Sequence, residues 1–67
     1  MILLDLLKIM GDTEHITIYV NDGYGNHTAE YVGLLGGLRL PPIRYADRVL
    51  RIRRERDMIE IEVMRDD

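Results

Sequence analysis

Apolar and polar residues alternate with period two on both sides of Arg54-Glu55-Arg56-Asp57, through Val49-Leu50-Arg51-Ile52-Arg53 and Met58-Ile59-Glu60-Ile61-Glu62-Val63. That pattern predicts a β-hairpin with one apolar face. A four-residue loop sets Ile52 opposite Ile59, Leu50 opposite Ile61 and Arg51 opposite Glu60. The register slipped by two pairs Arg51 with Glu62 and Arg53 with Glu60, but it leaves Arg54 opposite Ile59 and is disfavoured for that reason.

The period changes at the start of the chain. Leu3, Leu6, Leu7 and Met10 fall at helical spacing, and Gly11 stands where an αL cap would end a short helix. Ile2, Leu4 and Ile9 spread its apolar surface beyond one face, leaving Asp5 and Lys8 as the polar positions. A surface that wide predicts self-association through Ile2, Leu3, Leu6, Leu7 and Met10. After Asp12-Thr13-Glu14, residues His15–Val20 alternate again, with Ile16, Ile18 and Val20 inward. The turn formers Asn21-Asp22-Gly23-Tyr24-Gly25-Asn26 lead into a return strand over His27–Val32, with Ala29 and Tyr31 inward. Gly33–Leu38 allows one or two helical turns, although each interior glycine costs about 1 kcal/mol. Pro41-Pro42 ends any helix, so Arg39–Asp47 reads as a connection. The order is αββ(α)ββ. It predicts a single small α+β domain over residues 1–67: an antiparallel sheet of about four strands, made of two hairpins, with the N-terminal helix on one face.

A chain of 67 residues has a marginal core of its own, and without cysteine it has no disulfide or thiolate zinc site to reinforce it. Oligomerisation is the remaining usual reinforcement. The absence of a long apolar run or a recognisable leader gives a cytoplasmic protein as the expectation. The formal net charge of −3 hides a basic segment. Between Arg39 and Arg56 seven arginines meet only Asp47 and Glu55, a local net charge of +5. Arg44, Arg48, Arg51, Arg53, Arg54 and Arg56 are therefore the candidate contacts to a polyanion, with Tyr45 near enough in sequence to stack. Glu60 and Glu62, set beside Arg51 and Arg53 on the same ribbon, cancel much of that field.

Catalytic chemistry has little to stand on. The chain has no serine or cysteine, and its three threonines are scattered. Gly23-Tyr24-Gly25 lacks the third glycine and the following helix of a phosphate loop. Asn21, Asp22 and Asn26 lack calcium-loop spacing, and His15 and His27, which flank the turn and could approach across the first hairpin, are too few for a metal. No cofactor and no enzyme activity are expected.

Tyr45-Ala46-Asp47-Arg48-Val49-Leu50-Arg51-Ile52 and Ile59-Glu60-Ile61-Glu62-Val63, with Leu3-Leu4-Asp5-Leu6-Leu7-Lys8-Ile9-Met10, resemble small uncharacterised proteins of Gram-positive bacteria and their phages or mobile elements. The resemblance covers the ends of the chain and omits its Gly-rich middle. It implies a short helix ahead of two hairpins and a mobile-element setting, with no site residue. The resulting expectation is a non-enzymatic protein-interaction module that binds itself or another protein. The alternatives are a nucleic-acid-binding accessory protein using Arg39–Arg56, and, from the resemblance, a phage-type inhibitor of a host protein.

Overall fold

A computed structural model describes residues 1–65. The elements are α1 (Leu3–Leu7), β1 (His15–Asn21), β2 (His27–Leu34), β3 (Arg48–Glu55) and β4 (Met58–Met64), with short 3₁₀ turns at Leu35–Gly37 and Pro42–Ala46. The two hairpins form as the alternation predicts, and the fold is the small α+β domain expected. The antiparallel sheet expected from the sequence holds within each hairpin but not where the two join. The sheet order is β2-β1-β4-β3, and β1 runs parallel to β4 at the centre. The reason lies in the connection: residues 35–47 carry the chain from β2 at one edge to β3 at the other and also back along the length of the sheet, so that β3 runs in the direction of β2 and β4 returns in the direction of β1.

The core lies on one side of this sheet. Ile16, Ile18 and Val20 of β1 stand beside Ile59, Ile61 and Val63 of β4, and Val49 and Ile52 of β3 continue two of those rows. Leu3, Leu6 and Leu7 of α1, with Leu35 and Leu38 from the connection, close over them. Ile16 and Ile61 are wholly buried, as the strand pattern predicts. The helix is shorter than its apolar run. It gives way at Lys8, and Gly11 does not take the left-handed conformation of a cap. Leu3, Leu6 and Leu7 belong to the chain's own core and are not offered to a second subunit, and Met10 packs partly against the same core. The exposed apolar side chains of this segment are instead Ile2, Leu4 and Ile9.

The observed register of β3 with β4 is the slipped one: Arg51 pairs with Glu62, Ile52 with Ile61, Arg53 with Glu60 and Arg54 with Ile59. A two-residue turn, Arg56-Asp57, closes the hairpin, with Arg56 at a φ of 54°. A bulge at Leu50 then lets Val49 face Val63 within the core, which the unbulged alternation would have turned outward. The slip aligns both charge pairs and buries Ile61. Placing Arg54 opposite Ile59 costs little at the end of the sheet, where Arg54 stays exposed.

A second bulge, at Glu30, shifts β2 against β1. Ile18 pairs with Tyr31 but Tyr19 pairs with Ala29, so Tyr31 faces the core while Ala29 is exposed on the other face. Tyr31 explains two of the middle glycines. Its hydroxyl donates to the Leu34 carbonyl, and a β-carbon on Gly33 would lie 3.0 Å from that hydroxyl and one on Gly37 3.1 Å away.

Candidate interaction surface

The face of the sheet opposite α1 is left uncovered by the described elements. Pairing of the strands arranges its side chains in rows running from β2 to β3. Leu34, His15, Met58 and Glu55 make one row; Val32, Thr17, Glu60 and Arg53 the next; Ala29, Tyr19, Glu62 and Arg51 the third; and His27, Asn21, Met64 and Arg48 the last. The β2 side is mainly apolar, with Val32 62% and Leu34 44% exposed. The β4 strand supplies acids and β3 supplies arginines. Thr17 is buried on this face, where its hydroxyl donates to the Met58 sulfur.

Glu62 is the hub of the polar side. One carboxylate oxygen accepts from Asn21 Nδ2 at 2.9 Å and lies 3.4 Å from His27 Nε2, while the other lies 3.5 Å from Arg51. The Asn21 hydrogen bond is the main influence holding the Glu62 carboxyl below its ordinary pKa, and His27 and Arg51 act in the same direction against desolvation. Arg53 reaches Glu55 at 3.0 Å and Glu60 at 4.0 Å. These groups line a shallow hollow of about 180 Å³ formed by Tyr19, His27, Arg51, Arg53, Glu60 and Glu62. That is below the roughly 300 Å³ of a typical small-molecule site. A wider depression of about 520 Å³ beside the β3–β4 turn, lined by His15 and residues 55–58 and 60, lies open at the sheet's end.

The six candidate polyanion contacts do not share one surface. The strand register sets Arg48, Arg51 and Arg53 on the uncovered face, Arg54 on the face that carries α1, and Arg56 at the hairpin turn. Arg44 sits in the connection with its side chain only 11% exposed, 3.6 Å from the buried Asp47. Arg51 and Arg53 are each engaged by acids, whereas Arg48, Arg54 and Arg56 have no ion pair among the described residues.

His15 and His27 lie at opposite ends of the first hairpin, because His15 pairs with Leu34 while His27 pairs with Asn21 across the turn. Among the described residues no cluster of three or more His, Cys, Asp or Glu side chains is arranged to hold a metal. In the β1–β2 turn, the Asp22 carboxylate accepts from Asn26 Nδ2 at 2.9 Å and from the Tyr24 amide at 2.7 Å, which lowers its pKa, the Asn26 side chain contributing most. Its oxygens serve the turn itself. Sequence reasoning missed Asn21 and His27 as partners of Glu62, because that contact exists only through the parallel β1–β4 pairing.

No protein-family model, curated protein or solved structure matches this chain. No helix among the described residues is long and apolar enough to cross a membrane.

Proposed function

We propose that this chain is a non-enzymatic protein-interaction module that self-associates, with the edge of β2 and the adjoining apolar half of the uncovered face as its contact surface. The observation that carries this reading is the contrast between the two edges of the sheet. β2 is eight residues long, contains no proline, and carries a single charged side chain, Glu30, already engaged by Arg65 at 3.1 Å. Two such edges meeting antiparallel about a two-fold axis at the middle of β2 would extend the sheet without rows of opposing like charges, and would set the exposed Val32 of each copy beside Ala29 of the other. The arginines of β3 would face one another in the equivalent arrangement at the opposite edge, which disfavours it.

The nucleic-acid alternative is the weaker reading. Its six arginines are divided between two faces, a turn and a half-buried connection, and the two at the centre are paired with acids. A cytoplasmic setting belongs to the same proposal.

Sedimentation across a micromolar concentration series tests self-association. The wild-type chain should sediment as a dimer, and Val32→Lys, at an exposed position, should give a folded monomer. A wild-type monomer throughout the series, or a Val32→Lys dimer of undiminished stability, would refute it.

A further inference from the structure

The geometry points to a second docking site, the outer edge of β3, where an extended acidic segment of a partner protein adds as a strand. This deepens the reading of the chain as an interaction module, and it does not depend on pairing through β2.

The edge already receives a strand at one end. Ile2 makes an isolated antiparallel bridge to Arg48, and the Val49 amide donates to the Met1 carbonyl at 2.9 Å. Beyond that point no other described residue lies along the outer side of β3, which pairs only inward with β4, so Leu50–Glu55 runs exposed along the edge of the sheet. Main-chain donors and acceptors of such an edge are a template for another strand.

The side chains of β3 specify what kind of strand fits. Leu50 is 41% and Ile52 48% exposed, so each has apolar surface that a neighbouring strand would cover. Arg51 and Arg53 project on the uncovered face with side chains 59% and 58% exposed, so their existing partners leave much of each guanidinium open to a further carboxylate. Arg54 and Arg56, with no ion pair among the described residues, extend the positive charge towards the turn. Charged edge residues normally repel unwanted strands. Here the repulsion is selective: it rejects a second β3 or any basic strand, and favours one in which acidic and apolar residues alternate, so that apolar side chains meet Ile52 while carboxylates meet Arg51 and Arg53.

The test uses the Val32→Lys chain, which removes the proposed β2 contact, and three fluorescent eight-residue peptides read by anisotropy at low salt. One peptide alternates glutamate and valine, one alternates lysine and valine, and one has the acidic composition with a central valine replaced by proline. The acidic alternating peptide should bind, the lysine peptide should not, and the proline peptide should bind about tenfold or more weaker, because proline removes a main-chain donor while keeping the charge. Arg54→Gln/Arg56→Gln should weaken the acidic peptide without unfolding the chain, both positions being exposed. Amide chemical shifts should move along residues 50–55. Equal binding of the acidic and proline peptides, or equal binding of a duplex DNA of the same charge, would reduce the edge to a general polyanion surface and overturn the proposal. Absence of binding by the acidic peptide would overturn it as well. In either case the sedimentation result stands separately.

Discussion

Replacing Glu62 by glutamine isolates the charge at the centre of the uncovered face. Glutamine keeps the shape and one oxygen to accept from Asn21 Nδ2, but it carries no charge to strengthen that 2.9 Å hydrogen bond. A hydrogen bond to a charged group contributes about 1.5–3 kcal/mol and a neutral one about half that, so the exchange costs about 1 kcal/mol. The Arg51 pair adds at most about 0.5 kcal/mol, since the arginine is largely solvated at 3.5 Å. The total, about 1–1.5 kcal/mol, lowers the Tm of a domain this size by roughly 5–10 °C. The pH dependence supplies the control. The folded-state pKa of Glu62 lies below its ordinary value of 4.5, so its charge stabilises the fold above that pH, and the contribution is lost as pH falls through the folded-state pKa. Thermal melts followed by circular dichroism should therefore show wild type above Glu62→Gln at pH 7, with the gap closing under acid. Asp22, whose pKa is lowered as well, weakens both proteins equally and drops out of the difference. A gap that stays constant from neutral pH to about pH 3 would refute the electrostatic account and leave a packing effect in its place.

Three further substitutions test the architecture by thermal or chemical denaturation. Arg56→Gly relieves a left-handed residue at φ 54°, and after allowing for glycine's greater freedom when unfolded it should raise stability by about 0.5–1 kcal/mol; a lower Tm would argue against the two-residue turn. Gly33→Ala, at φ 155° with its new β-carbon 3.0 Å from the Tyr31 hydroxyl, should cost about 1–3 kcal/mol, and a neutral result would mean that Tyr31 does not lie over the glycine. Ile61→Ala, at a wholly buried site, should cost about 2–5 kcal/mol, whereas Ile52→Ala on the half-exposed edge should cost under about 1.5 kcal/mol; similar costs would contradict the observed burial.

The local elements were legible because their signals are local. Alternation at Ile16, Ile18 and Val20 and at Ile59, Ile61 and Val63 marks the buried face of both hairpins, and Asp22-Gly23 marks the first turn. The relation between distant pieces left no such mark. Period two assigns faces but says nothing of which strand lies beside which, so the parallel β1–β4 pair was invisible, and with it the contact of Asn21 and His27 with Glu62. Bulges hide for a related reason. At Leu50 and Glu30 one extra residue reverses the alternation, which is why Ala29 turned outward and Val49 turned inward, while the slip of the second hairpin by two comes from its turn, which uses two residues, Arg56 and Asp57, in place of four. In α1 the apolar count exceeded what one helical face requires, because Leu3, Leu6 and Leu7 serve the chain's own core while Ile2, Leu4 and Ile9 remain outside it.

The central pairing of the first strand with the last makes each half of the chain a template for the other. Each hairpin on its own is a two-stranded ribbon with one greasy side, a unit that is at best marginal in water. Severing the chain at Leu40, within the connection between them, would yield two fragments with little structure apart, each holding one strand of the central pair. Mixed, they should zip together along β1 and β4 and restore the sheet. Reassembly would make the domain a split reporter, in which anything that brings two fused proteins together is read as the recovery of a fold.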